Sequence, residues 1–207
     1  MVLEVLNQMP LLRKNRTGSE GSESVNFRVA VMGSSGVGKS SIISQFLYEQ
    51  FQDTYQETVE EMHHKLFKLG DKTVTLNILD TAGHNEFPAM KKLAISTSNA
   101  FILVYSVTDQ KSFDEVKRLR DEISANRGPV PTVIVCNKAD INSEAVIEKY
   151  TMDSIVSIDW EATYVEVSAK ENVNVSAIFQ ELLRVTNLTL NDTIEKHNSL
   201  TDLNSRR

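Results

Sequence analysis

The stretch Gly33-Ser34-Ser35-Gly36-Val37-Gly38-Lys39-Ser40 decides how the rest of the chain is read. It is spaced G-x-x-x-x-G-K-S. Before it runs an apolar segment, Phe27 to Met32, and after it Ile42, Ile43, Phe46 and Leu47 recur at helical spacing. Strand, glycine-rich loop and helix are the setting in which a P-loop works. The glycines let successive backbone N–H groups converge on phosphate oxygens, where a Cβ would intrude. The helix adds the positive end of its dipole. Lys39 supplies a point charge for the terminal phosphates, and the Ser40 hydroxyl can ligate Mg²⁺. A chance match in a glycine-containing turn would lack that flanking strand and helix.

A length of 207 residues suits one substantial domain with some chain to spare. The net charge of −6 argues against a general nucleic-acid binder, which needs a basic surface. A single cysteine, Cys136, excludes an internal disulfide and fits a reducing compartment. No apolar run approaches the length of a membrane-spanning helix.

The chain divides into three parts. Residues 1–24 read as a flexible tail, apolar and then basic up to Arg16, followed by the small polar run Thr17 to Ser24. Residues 25–190 form the folded domain, and residues 191–207 a second polar tail. The start is not Met-Gly, and the end, Asn204-Ser205-Arg206-Arg207, is no prenylation box. The expectation is a cytoplasmic monomer, with recruitment to the plasma membrane through a partner or the N-terminal tail as the alternative.

Within the domain, strand and helix signals alternate. A strand runs to Met32 and a helix to about Gln50; residues 52–61 are a polar loop. Strands from Met62 to Leu69 and from Thr73 to Leu79 flank the turn Gly70-Asp71-Lys72, so they pair antiparallel. Phe87 to Ile95 has helical spacing. Ala100 to Tyr105 and Thr132 to Cys136 are continuous apolar runs, as in strands buried on both faces. Between them lies a helix from Ser112 to Ala125, with Ser112 as expected N-cap and Glu115 completing a capping box. Residues 143–158 hold a less clear helical pattern. A strand from Thr163 to Val167 and an amphipathic helix from Val175 to Leu188 close the domain. The fold class is α/β: a six-stranded, mostly parallel sheet with one antiparallel edge strand and helices on both faces.

Ligands of such sheets sit at the carboxyl ends of the strands. The P-loop, Asp80, Asn137 and Ser168 all fall just after strands. Asp80 opens Asp80-Thr81-Ala82-Gly83 and can hold Mg²⁺, although an aspartate at a strand end is often only a turn residue. Asn137-Lys138-Ala139-Asp140 is a base-reading run: the Asp140 carboxylate can accept from the N1–H and exocyclic amine of guanine. Adenine offers no such donor pair and is penalised. Ser168-Ala169-Lys170 is the weakest of the motifs and gains meaning from its place after the last strand.

On these motifs, the chain from about Phe27 to Leu188 resembles a Ras-type small GTPase, a P-loop NTPase with a Ras-like G domain. Ile78 to Gly83, Phe87-Pro88-Ala89-Met90 and Ser112 to Arg120 are similar to the Rhes and dexamethasone-induced Ras branch. That branch usually carries a long basic extension and a prenylation box, which this chain does not show. The resemblance implies GTP/GDP and Mg²⁺ as cofactors. Ser40, Thr58 and Asp80 would ligate the metal. Contacts to the nucleotide would come from Ser35, Gly36, Val37, Gly38, Lys39, Ser40 and Ser41 in the P-loop. Phe51 would pack on the base, and Asn137, Lys138, Asp140, Ser168, Ala169 and Lys170 would surround it. Lys39, Thr58, Gly83 and His84 would act in hydrolysis, with Thr58 and Gly83 closing over the γ-phosphate in the two switch loops.

Two departures bear on that mechanism. The residue after Gly83, usually a water-orienting glutamine, is His84, whose imidazole lacks the carboxamide's paired donor and acceptor. Ser35 replaces a usual glycine and crowds the place where an activating protein's arginine would enter. Slow hydrolysis follows, with a GTP-binding interaction module of negligible hydrolysis as the rival. A P-loop kinase leaves Asn137 to Asp140 without a role. The acidic first switch, with Tyr55, Glu57, Glu60 and Glu61, suits effector proteins with a basic surface. Exchange and activating proteins are implied partners. His63 and His64 point to opposite faces of a strand, which disfavours a metal site there.

Overall fold

The computed structural model describes residues 24–69, 72–83, 88–144, 155–156, 160 and 162–186. The tails, His84 to Phe87 and most of the pattern at 143–158 lie outside the described residues. Strand β1 is Ser24–Met32, β2 Glu61–Leu69, β3 Lys72–Asp80, β4 Ala100–Ser106, β5 Thr132–Asn137 and β6 Thr163–Glu166. They form one sheet in the order β2-β3-β1-β4-β5-β6. Only β2 runs antiparallel, paired from Glu61 opposite Asp80 to Leu69 opposite Lys72. β1 pairs parallel with β3, Ser24 opposite Thr73 through Val31 opposite Asp80, so the first strand begins a residue inside the expected tail.

Helix α1 is Lys39–Tyr48, α2 Pro88–Thr97 and α3 Gln110–Arg127. A fourth helix, α4, covers residues 175–186. Two apolar layers account for the sandwich. On one face Val29, Val31, Ile78 and Val104 meet Ile42 and Ile43 of α1 and Ile178, Phe179 and Leu182 of α4. On the other, Ala30, Leu79, Leu103 and Tyr105 meet Ala94 and Ile95 of α2 and Phe113, Val116 and Leu119 of α3. β3 alternates, with Val74, Leu76 and Ile78 buried and Thr75 and Asn77 between them half-buried. Every residue of β4 is buried, which is why its sequence shows no alternation. The fold is therefore the expected α/β sandwich.

The start of α3 differs from the expectation. Asp109, not Ser112, is the N-cap: its carboxylate accepts from the N–H groups of Lys111 and Ser112, at 3.0 and 3.3 Å. An anionic cap also answers the helix dipole, which a hydroxyl does not. Ser112 is buried inside the first turn. Its hydroxyl donates to Asp109 O and accepts from Ser106 N, joining β4 to α3. Glu115 pairs with Arg118 at 2.8 Å rather than completing a capping box.

Candidate nucleotide and metal site

The carboxyl ends of β1, β3, β5 and β6 face one rim, and a cavity of about 1000 Å³ opens there. Most of the expected site residues line it: Ser35, Gly36, Gly38, Lys39, Ser40, Ser41, Phe51, Thr58, Asp80, Gly83, Asn137, Lys138, Asp140, Ala169 and Lys170. Val37 and Ser168 do not. Val37 is buried in the apolar core, and Ser168 lies behind the wall, 2% exposed.

At the phosphate end, Gly38 is the N-cap of α1 with φ at 95°, a left-handed conformation that costs glycine little. No side chain caps α1, and its first turn contains no acidic residue. The free N–H groups there are suited to an anion. Lys39 is buried, its Nζ donating to Gly33 O and Ser34 O at 3.0 and 2.9 Å. Burial pushes its pKa down to about 8, with Asp80 opposing the shift. Burial leaves this ammonium short of solvation that Asp80 only partly offsets, and the negative charge of a polyphosphate beside it would favour its charged form.

Beside Lys39, three oxygen donors converge. The Ser40 and Thr58 hydroxyls lie 2.8 Å apart, and the Ser40 hydroxyl is close enough to Asp80 to favour its charged form. Asp80 is buried, its Oδ1 is without a hydrogen-bond partner among the described residues, and burial raises its pKa. An orphaned carboxylate oxygen beside two hydroxyls is a hard-oxygen donor set, and it fits Mg²⁺. Thr81 explains how Asp80 is aimed. Its Oγ1 donates to Val31 O at 2.8 Å, fastening the end of β3 across to β1. Among the described residues no cluster of three or more His, Cys, Asp or Glu could hold a metal. His64 turns to Asn77 and His63 to Tyr48, on opposite faces of β2.

At the base end, one asparagine joins three loops. Asn137 Nδ2 donates to Val37 O at 2.8 Å, and its Oδ1 accepts from Ala169 N at 3.1 Å. Asn137 thus ties the P-loop to the loop after β6, and sequence spacing alone could not show this. Asp140 is exposed, with Ser168 Oγ donating to its Oδ1 at 2.6 Å. That bond orients the carboxylate, and Glu171 N in turn donates to Ser168 Oγ at 3.0 Å. Phe51 is half-buried against the core at the cavity edge. Gln45 was not foreseen: it is buried on α1 and donates to Ala169 O at 2.8 Å. The available signal was a polar residue on the apolar stripe of α1, three residues after Ile42.

The chain's similarities agree with this geometry. The Ras family model matches residues 28–187. GTP-binding protein Rhes of Mus musculus is 41% identical over 175 residues, 79% of this chain and 65% of that protein. GTP-binding protein Di-Ras2 of Pongo abelii is 38% identical over 166 residues, 79% of this chain and 83% of its own length. GTP-binding protein Di-Ras1 of Mus musculus is 40% identical over 165 residues, 78% of this chain and 82% of its own length. The chain therefore spans slightly under two thirds of the Rhes relative and most of the Di-Ras relatives. On the match over residues 28–187 and these identities, the chain belongs to the Ras family of small GTPases, in the Rhes and Di-Ras branch.

Proposed function

We propose that the chain is a guanine-nucleotide switch that binds GTP and GDP with Mg²⁺, hydrolyses GTP slowly and engages effectors in the GTP state. The observation that carries this reading is the convergence of Lys39, Ser40, Thr58 and the orphaned Asp80 Oδ1 at one end of a cavity whose other end holds Asp140. Lys39 would neutralise charge on the terminal phosphates. Ser40, Thr58 and Asp80 would hold Mg²⁺, which when bound would supply further neutralisation of phosphate charge. Water attacks the γ-phosphorus, the bond to the β–γ bridging oxygen breaks, and GDP and inorganic phosphate leave. Asp140, oriented by Ser168, would accept from the two guanine donors.

Slowness is argued from His84, which lies outside the described residues, and from Ser35, which stands at the cavity mouth. The first switch loop supports the effector role. Tyr55, Glu57 and Glu61 are exposed, Glu60 is half-exposed, and the adjoining β2 is a sheet edge. A basic partner that adds a strand to that edge fits both features.

The nucleotide that co-purifies with the full chain tests the reading. GDP means that turnover occurs and the chain is a conventional switch. GTP means that hydrolysis is the slow step, which favours the non-hydrolysing interaction module. Adenine nucleotide, or none retained in Mg²⁺, would overturn the guanine assignment.

A further inference from the structure

Ser35 is approached from two sides. Its Oγ lies 2.6 Å from the hydroxyl of Tyr55, a bond between the P-loop and the first switch loop. From the other side comes Gly83, at the start of the second switch. The approach is so close that a Cβ on Gly83 would fall against the Ser35 backbone. Ser35 is half-buried, whereas Tyr55 is 63% exposed, so the pair sits at the cavity mouth.

The first switch loop lies open to solvent. Residues 52–57 are all exposed and carry no strand or helix. Among the described residues, Ser35 is the one hydrogen-bond partner of the Tyr55 hydroxyl. One residue past this run, Thr58 is fastened to Ser40. Exposed segments without strand or helix open locally at low cost, and a bond to the P-loop shifts the population toward the closed form. Tyr55 and Ser35 both line the cavity, so lifting this loop uncovers its phosphate end.

We propose that Ser35 and Tyr55 form a clasp that retains the nucleotide: the hydroxyl pair closes the first switch loop over the phosphate end and slows release. The proposal rests on the guanine-nucleotide reading of the cavity. It makes Ser35 a positioning residue, acting through Tyr55. A glycine at this position could form no such bond, so the clasp is written in the residue by which this P-loop departs from the usual pattern.

The test is the release of a fluorescent GDP from the full chain in Mg²⁺, chased with excess unlabelled GDP. Wild type, Ser35→Ala, Tyr55→Phe and the double variant are compared. One hydrogen bond predicts release faster by roughly three- to tenfold in each single variant. The double variant should release no faster than either single, because both remove the same bond. Unchanged release in either single variant, or effects that multiply in the double, would overturn the clasp while leaving the guanine reading intact. Failure of the wild type to retain the labelled GDP would overturn the guanine reading and the clasp with it, and would be seen before any variant is compared. Because the two substitutions lie on different loops, general loosening of the domain would give multiplying effects.

Discussion

In the proposed hydrolysis, His84 is the residue that would position the attacking water least well. A carboxamide can donate and accept at once toward an attacking water, whereas a neutral imidazole divides those roles between two separated ring nitrogens. Replacing His84 with Gln should therefore raise single-turnover GTP hydrolysis by roughly tenfold, the worth of about 1.4 kcal/mol of transition-state positioning. Quenched-flow detection of released phosphate from preloaded protein measures it. An unchanged rate would mean that another residue orients the water or that Ser35 sets the limit. At this same scale the sequence was most informative about chemistry. Lys39, Ser40, Thr58 and Asp80 were named from motif and resemblance, and the structure brings them together. What it could not give was the partner of each group. The Ser35–Tyr55 bond joins positions 20 apart along the chain, and Ser168 with Asp140 joins positions 28 apart. Such pairings depend on how loops meet, and no local pattern encodes that.

Elements were legible where burial imposes a period and less so where a cap or loop decides. The buried runs of β4 and β5 and the alternation of β3 were all readable, because pleat and burial dictate them. The start of α3 was misread, since Asp109 and Ser112 are both acceptable caps and only the backbone path selects between them. Loops between elements are fastened by side chains whose role no periodicity shows, and Asn137 is the chief case. Both ends of its amide serve buried backbone groups on other loops, Val37 O and Ala169 N. Asn137→Ala leaves that carbonyl and that N–H without partners. Each buried group so orphaned costs about 1–3 kcal/mol, so the variant should lose about 2–6 kcal/mol of stability. Urea unfolding at saturating GDP measures this. A loss below about 1 kcal/mol would mean that water replaces the amide at both positions.

At the scale of the molecule, the nucleotide cavity is lined from both ends of the chain, by the P-loop near the start and by the loop after β6 near the end. The unliganded protein pays for burying Lys39 and Asp80 at that site, since burial disfavours the charged form of each. Phosphates beside Lys39 and a cation beside Asp80 reverse both penalties, so ligand binding should report on the whole fold. A ligand that binds only the native state stabilises it by RT ln(1 + [L]/Kd), or about 4 kcal/mol at 1,000 times Kd. For a domain of this size such a gain raises the melting temperature by roughly 8–16 °C. Thermal unfolding of the nucleotide-stripped chain, followed with Mg²⁺ and GDP, with GDP and a chelator, and with Mg²⁺ and ADP, should rank in that order. Mg²⁺ and GDP together should give the large shift. The chelator should remove a substantial part of it, because Asp80 then keeps its unanswered oxygen. ADP should give almost none, since Asp140 meets no donor pair on adenine. Equal shifts with GDP and ADP would show that the phosphate end alone carries the affinity and that Asp140 does not select the base. A GDP shift insensitive to the chelator would remove Asp80 from the metal site.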